Sequence, residues 1–228
     1  MSNSYVIKPV STILFDVGHT LLFLDNHFFF SLAQNFTTLT FTEFVLLGAR
    51  TKEHAYRTEP DDPYKTWFAN WMTGAGVPES ELDSIFTAII AQHEKEHLWC
   101  IPEPSLPDVL IQLRERGLQL GVISNSDGTV NGLLERFGFD AYFKCIVDSA
   151  EVGVEKPDAR IFHYALKQMD VAADEALYVG DLEYKDVQGA ESAGLQGILI
   201  DPYNMVQDPK CLRIGQLSEL LELVERRD

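Results

Sequence analysis

The stretch STILFDVGHTL, residues 11–21, decides the fold. Residues Ser11–Phe15 are apolar or β-branched on both faces, which predicts a strand buried in the middle of a parallel sheet. Asp16 follows this strand directly, and Gly18 and Thr20 then indicate a turn. Doubly wound sheets bind their ligands at the carboxyl ends of strands, so Asp16 is the first candidate site residue.

The second half of the chain alternates between helical and strand patterns. Apolar residues at helical spacing stop at glycines such as Gly117, Gly138 and Gly194, which is typical of helix ends. We predict strands at 118–123, 143–147, 176–179 and 197–200, and helices at 109–116, 130–137, 159–169, 187–193 and 217–224. This alternation indicates an α/β fold with a doubly wound, Rossmann-like parallel sheet.

The segment from about His27 to His97 is different, because its pattern is helical and rich in aromatic residues. Helices are predicted at 42–56, after the Asp61–Asp62–Pro63 stop, and from about Pro78 to Leu98. Prolines 102, 104 and 107 indicate a hinge after this block. We expect the aromatic side chains to form the core of the block rather than a pocket.

Composition excludes several classes of protein. Of 228 residues, 46% are hydrophobic and 23% charged, which predicts an ordinary globular core. The net charge of −17 argues against a generic binder of nucleic acid or of an anionic membrane, since both need cationic surfaces. No apolar run approaches the roughly 20 residues of a membrane span.

The cysteines and the N-terminal residues indicate the compartment. Three scattered cysteines are too few for a disulfide framework, so a reducing cytosol is the simplest location. Residues 1–18 show no basic segment followed by a separate apolar segment, so we expect no signal peptide. We therefore predict a cytoplasmic protein.

Further polar groups follow the other predicted strands. Ser124 follows 118–123, Lys156 comes after 143–147, and Asp181 follows 176–179, with Asp186 five residues on. A single aspartate there would more often be a turn or capping residue, but several converging groups favour a site. A carboxylate can be a nucleophile, a hydroxyl and an ammonium can stabilise phosphoryl oxygens, and two carboxylates can hold Mg²⁺.

The ordered set resembles the haloacid dehalogenase superfamily, whose motifs are D-x-D-x-T, a strand-end Ser or Thr, a Lys, and GD-x(4)-D. The matching positions are Asp16, Thr20, Ser124, Lys156, Asp181 and Asp186. The likeness covers roughly 11–25 and 107–201, including SNSDG, VGVEKPDARIF and VGDLEYKDVQGAESAG. It implies a catalytic core of 1–22 and 103–228, with an inserted all-helical cap domain at 23–102 that closes over the site and selects the substrate.

The resemblance also implies residue roles and an activity. Asp16 would be the nucleophile, Ser124 and Lys156 would bind the transferring group, and Asp16, Asp181 and the carbonyl of Gly18 would ligate Mg²⁺. Thr20 and Asn125 would arrange the turn, the loop or a substrate oxygen, and Asp186 would support Lys156. The implied enzyme is a Mg²⁺-dependent phosphohydrolase acting on a small anionic phosphate ester through an aspartyl intermediate, as a monomer or homodimer.

One position departs from the pattern, because Gly18 replaces the second aspartate that serves the phosphatases as general acid and base. Losing such a group typically costs about 10²–10⁴ in rate. Three interpretations stay open: a phosphohydrolase in which His19, a cap residue or a good leaving group compensates; a dehalogenase or phosphonate C–P hydrolase; and a low-turnover binding or scaffold protein. His19 is more often simply a turn residue, and intact Asp181 and Asp186 favour a metal.

Two other classes share parts of this pattern. Receiver domains of response regulators have their acidic cluster early and the phosphoacceptor in mid-chain, whereas here the order is reversed. A dinucleotide-binding protein is disfavoured because no G-x-G-x-x-G follows the first strand.

Overall fold

A computed structural model describes residues 7–58 and 63–224, except for the side chain of Arg57. The predicted helix stop at Asp61–Asp62 lies outside the described residues. Within them the chain forms two compact units. The first unit comprises 7–23, 102–202 and 208–224, and the second comprises 24–58, 63–101 and Tyr203–Gln207.

The described residues form eight strands in two sheets. They are β1 (Thr12–Phe15), β2 (Leu22–Leu24), β3 (Trp99–Pro102), β4 (Gln119–Ser124), β5 (Cys145–Asp148), β6 (Ala176–Gly180), β7 (Gln196–Ile200) and β8 (Leu212–Ile214). Six form a parallel sheet in the order β5-β4-β1-β6-β7-β8. The other two, β2 and β3, pair with each other. The doubly wound parallel sheet is therefore confirmed.

The position of β1 in the middle of the sheet follows from its sequence. Ile13, Leu14 and Phe15 are all fully buried, as a strand flanked by neighbours and covered on both faces requires. From β1 the chain builds the sheet outwards through β4 and β5 on one side and through β6, β7 and β8 on the other. The switch in direction lies at β1, so the carboxyl ends of β1, β4 and β6 mark the expected binding edge.

Helices complete both units. They are α1 (Asn26–Ala33), α2 (Phe41–Thr58), α3 (Pro63–Gly74), α4 (Leu82–Lys95), α5 (Leu106–Glu115), α6 (Val130–Arg136), α7 (Ser149–Val152), α8 (Ala159–Met169), α9 (Gly189–Ser192) and α10 (Leu220–Leu223). The predicted helix at 187–193 begins earlier, as a π-helical turn over Glu183–Gln188. The predicted helix at 217–224 begins with a 3-10 turn, Leu217–Glu219.

The second unit has an aromatic core, as expected. Phe29, Trp67 and Trp71 are buried in one apolar cluster. The indole Nε1 of Trp71 donates to the carbonyl of Phe44 at 2.8 Å, which satisfies a polar group that burial would otherwise leave without a partner. A Cβ at Gly48 would lie 2.5 Å from the Trp71 ring, so the helix approaches this ring only because residue 48 is glycine.

Two further features of the fold were not predicted. Strands β2, β3 and β8 have only three or four residues each, which is too short for a clear alternation pattern. The predicted helical segment 23–102 is thus bounded by strand residues at both ends. Residues Tyr203–Gln207 group with the second unit although the chain on either side belongs to the first.

Among the described helices, none combines the length and the apolar character that crossing a bilayer demands.

Candidate active site

The carboxyl ends of three adjacent strands bring polar side chains together in the first unit. Asp16 follows β1, Ser124 ends β4, and Asp181 follows β6. Their exposed fractions are only 7%, 5% and 9%. The backbone N–H of Asp16 donates to the carbonyl of Val179 at 2.9 Å, so the sheet ladder continues into the site and fixes the Asp16 backbone.

Lys156 reaches the same place from the loop between α7 and α8. Its ammonium donates to Asp16 Oδ1 at 2.6 Å, to Asp186 Oδ1 at 2.7 Å and to the hydroxyl of Tyr178 at 2.9 Å. Lys156 is 4% exposed, and a buried charge of this kind needs such partners. The three contacts engage all three hydrogens of the ammonium.

Asn125 holds the backbone of Lys156. Its Oδ1 accepts a hydrogen bond from the Lys156 N–H at 2.8 Å, and its Nδ2 donates to the Lys156 carbonyl at 3.0 Å. The oxygen and the nitrogen of the Asn125 amide are therefore both hydrogen-bonded to a residue 31 positions further along the chain. This side chain directly links the loop after β4 to the lysine.

Asp186 lies on the π-helical turn, a rare conformation that is frequently found at functional sites. Its Oδ2 accepts a hydrogen bond from the Leu182 N–H at 2.9 Å, while its Oδ1 faces Lys156. A Cβ at Gly180 would lie only 2.4 Å from Asp186 Cγ. Glycine at position 180 thus makes room for this carboxylate.

Burial and neighbouring charges shift the proton affinities of the site. Burial, together with the nearby carboxylates of Asp186 and Asp181, raises the pKa of Asp16 to about 7 against the opposing Lys156 ammonium. Burial alone would lower the pKa of Lys156, but the charges of Asp16 and Asp186 hold that pKa well above its ordinary value. Burial also raises the pKa of the Tyr178 hydroxyl well above its ordinary value. The lysine is a cation and the tyrosine is neutral near pH 7.

The donor set at this edge fits a hard divalent cation. Asp16, Asp181 and Asp186 each offer a carboxylate oxygen, and these oxygens all lie within 4.8 Å of one another. Mg²⁺ prefers oxygen ligands and binds them at about 2.0–2.1 Å. A small movement of these carboxylates towards one another would therefore bring their oxygens within bonding distance of one ion. Three carboxylates beside one ammonium also leave an excess of negative charge for a cation to balance.

The turn after Asp16 contains Gly18, His19 and Thr20. His19 adopts the left-handed conformation with φ of 57°, which is uncommon for a residue other than glycine, and its ring meets Phe23 edge-on at 5.9 Å. Thr20 is fully buried, and its Oγ1 has no hydrogen-bond partner among the described residues. Its N–H donates to the carbonyl of Val17 at 3.3 Å, so it is the backbone of Thr20 that closes the turn. The predicted substrate contact of Thr20 stays a prediction.

Three residues of the site region were missed by the sequence reasoning. Asp148 accepts hydrogen bonds from the N–H groups of Gly128 and Ala150, both at 3.0 Å, and so holds the loop after β4. Ser149 Oγ accepts from the N–H of Ser126 at 3.1 Å. The predicted strand ended at 147, and extending it by one residue would have shown another strand-end carboxylate. Tyr178 gave no signal, because an aromatic residue inside a strand is typical of a core.

Comparison with known proteins indicates the family of the chain. The family model described as haloacid dehalogenase-like hydrolase matches residues 31–200. A glyceraldehyde 3-phosphate phosphatase of Methanopyrus kandleri is 36% identical over 156 residues, which cover 64% of this chain and 66% of that protein. A phosphoserine phosphatase of Thermus thermophilus is 37% identical over 123 residues, which cover 51% of this chain and 49% of that protein. The chain thus spans about half to two thirds of these relatives.

A solved structure extends the comparison to nearly the whole chain. The structure of a haloacid dehalogenase-type phosphatase from Thermococcus onnurineus covers 96% of this chain and 100% of its own, with a TM-score of 0.62 and 19% identity. At this level of identity the likeness shows a common fold.

Proposed function

The chain belongs to the haloacid dehalogenase-like hydrolases, and from this premise we propose that it is a Mg²⁺-dependent phosphohydrolase of a small phosphate monoester. The observation that carries the proposal is the buried contact of 2.6 Å between Lys156 Nζ and Asp16 Oδ1 at the binding edge of the sheet. It supports a carboxylate nucleophile that lies beside a fixed cation. Such a pair suits attack on an anionic phosphoryl group.

The proposed reaction has two displacements at phosphorus. A carboxylate oxygen of Asp16 attacks, and the ester P–O bond breaks with its electron pair going to the leaving alcohol. Water then attacks the phosphorus of the aspartyl phosphate, which releases inorganic phosphate and restores the Asp16 carboxylate. Lys156 and Ser124 would donate hydrogen bonds to the phosphoryl oxygens during both steps.

Asp16, Asp181 and the carbonyl of Gly18 are the proposed ligands of Mg²⁺. When bound, Mg²⁺ would reduce the repulsion between the Asp16 carboxylate and the incoming phosphate. Asp186 already bonds Lys156 and the Leu182 N–H, so its proposed role is to support the lysine. Thr20 keeps its proposed role at the turn, and Asn125 its proposed role in placing the loop or a substrate oxygen.

The substrate class follows from the named relatives and from the missing acid. The relatives are named for glyceraldehyde 3-phosphate and phosphoserine, which are both small phosphorylated metabolites. Gly18 offers no proton to a leaving alcohol, so we propose a substrate whose leaving group needs little protonation or receives it from His19. We further propose a monomer or homodimer in the cytosol, where the three cysteines, free thiols in this structure, would stay reduced.

A dehalogenase or C–P hydrolase is the second candidate, and Gly18 is the observation that favours it. A halide leaves without a proton, so the missing acid would then be harmless. Against this candidate stands the acidic group of Asp16, Asp181 and Asp186, which suits a metal. A low-turnover binding protein is the third candidate and predicts no dependence on Asp16.

Hydrolysis of p-nitrophenyl phosphate separates these candidates, because nitrophenolate needs little help from an acid. We expect activity with Mg²⁺, none with EDTA, and a loss of at least about 10³-fold in Asp16→Asn. The matched control is Asp174→Asn, since Asp174 is an exposed aspartate away from the site. Folded wild-type protein without this activity would overturn the proposal, and 2-haloacids and phosphonates in the same buffer would then test the second candidate.

A further inference from the structure

Tyr178 places a single hydroxyl group inside the core of the first unit. The residue has no exposed surface, and its ring packs edge-on against Phe162 with a centroid distance of 5.1 Å. Its hydroxyl lies 2.9 Å from Lys156 Nζ, 3.0 Å from the carbonyl oxygen of Ile123 and 3.3 Å from Asp186 Oδ1. A buried hydroxyl with these neighbours links groups that are far apart in sequence.

The direction of each hydrogen bond follows from the donors available. An ammonium can only donate, and a phenol has one hydrogen and accepts through its lone pairs. Tyr178 therefore accepts from Lys156 and donates its hydrogen to the nearer acceptor, the carbonyl of Ile123. That carbonyl immediately precedes Ser124. One hydroxyl thus connects the lysine to the strand end that carries the serine.

The three acceptors around Lys156 are not equivalent. Asp16 and Asp186 are both carboxylates of the acidic group that would attract a divalent cation or protons. Tyr178 is neutral and lies on β6 with its ring packed against Phe162, so its contact with the lysine involves neither a carboxylate nor a proposed metal ligand. The ammonium can keep its hydrogen bond to Tyr178 while its other hydrogens are donated to Asp16 or to a phosphoryl oxygen.

We propose that Tyr178 is a positioning residue, which holds the Lys156 ammonium in line with Asp16 by accepting one of its three hydrogen bonds. This inference rests on the proposed function for its catalytic consequence, but not for the contact itself. A phenylalanine ring would fill the same space and keep the approach of Lys156 Nζ, 5.4 Å from the ring centroid. Replacing Tyr178 by phenylalanine therefore tests the contribution of the hydroxyl group alone.

The test compares Tyr178→Phe with the matched control Tyr164→Phe. Tyr164 lies on α8 and is 42% exposed, so the control removes a hydroxyl that faces solvent. The first readout is ¹⁵N-edited NMR of the Lys156 ammonium without Mg²⁺, assigned by the absence of its signal in Lys156→Arg. In wild type and control we expect a slowly exchanging signal. In Tyr178→Phe we expect hydrogen exchange to be at least about tenfold faster, because one of three protecting partners is lost.

The second readout is the kinetics of p-nitrophenyl phosphate hydrolysis with Mg²⁺. We expect kcat to fall about tenfold in Tyr178→Phe, a change equivalent to about 1.4 kcal/mol. We expect KM to change less than about threefold, because the lysine is aligned on the nucleophile and acts mainly in the transition state. A purely structural hydroxyl would lower the urea midpoint and leave kcat of the folded protein unchanged.

The outcomes distinguish this inference from the proposed function. Faster ammonium exchange together with a lower kcat supports positioning by Tyr178. Unchanged exchange, or faster exchange with the kcat of the control, overturns it. If wild type hydrolyses no phosphate ester, the proposed function fails, and the exchange rate alone still decides whether Tyr178 anchors Lys156.

Discussion

Replacing Gly180 by alanine should damage the site by moving one neighbouring carboxylate. An added Cβ would lie 2.4 Å from Asp186 Cγ and 2.5 Å from Asp186 Cβ. Carbon atoms in contact normally stay about 3.5–4.0 Å apart, so Asp186 must move by about 1 Å. Its bonds of 2.7 Å to Lys156 Nζ and 2.9 Å to the Leu182 N–H would then exceed normal hydrogen-bond length.

The expected magnitude combines crowding with lost hydrogen bonds. Overpacking a core costs about 1–3 kcal/mol, and a hydrogen bond to a charged group contributes about 1.5–3 kcal/mol. Because Asp186 can relax in part, we expect the free energy of unfolding to fall by about 2–4 kcal/mol. A displacement of 1 Å near the reacting groups can cost about 10²-fold in rate, and we expect kcat to fall by that order.

Urea unfolding and p-nitrophenyl phosphate hydrolysis measure the two effects separately. The matched control is Gly132→Ala in α6, where an added Cβ meets nothing within 4 Å. Alanine should be neutral there or stabilise the helix by up to about 1 kcal/mol. A Gly180→Ala protein that unfolds within about 0.5 kcal/mol of wild type and keeps its kcat would refute the close approach of Asp186 to the strand.

Three further substitutions test contacts described above, each by urea unfolding. Asn125→Ala removes both hydrogen bonds to the Lys156 backbone, so it should lower the free energy of unfolding by about 1–3 kcal/mol and also lower kcat. The control Asn131→Ala, at an exposed helical position, should lower the free energy of unfolding by less than about 0.5 kcal/mol. Asp148→Asn keeps one acceptor oxygen, so the N–H group bonded by the other loses its partner at a cost of about 1–3 kcal/mol. Trp71→Phe removes the indole donor to the carbonyl of Phe44 and part of a buried ring, and it should destabilise the second unit by about 1–3 kcal/mol. An unchanged unfolding midpoint would contradict the contact concerned.

The sheet could be predicted from the sequence because its strands carry a strong local signal. The run TILF is apolar on both faces, and only a central parallel strand needs that. Once the alternation of strands and helices is recognised, strand ends must meet at one edge, so Asp16, Ser124 and Asp181 are brought together by topology. Lys156 comes after the predicted strand at 143–147, but it lies in a loop without periodicity, and the family resemblance was needed to assign its role.

The features that escaped prediction depend on tertiary contacts. The π-helical turn at Glu183–Gln188 has the composition of an ordinary helix, and its unusual winding accompanies the contacts of Asp186. Tyr178 is an ordinary strand residue by sequence, and only the three-dimensional approach of Lys156 shows what its hydroxyl contacts. Local patterns cannot report either contact with Lys156, because Lys156 lies 22 residues from Tyr178 and 30 residues from Asp186 in the chain.

The position of β1 in the sheet also determines the order in which the nascent protein can fold. Thr12 pairs with Gln119 on one side and with Ala176, 164 residues further along, on the other. At about 5–20 residues per second, the ribosome needs on the order of 10–30 s to deliver the second partner. During this interval at least one edge of β1 carries unpaired backbone N–H and C=O groups, and its apolar faces lack their final cover, so the strand is open to aggregation. The helices of the second unit can pack from local contacts as they emerge.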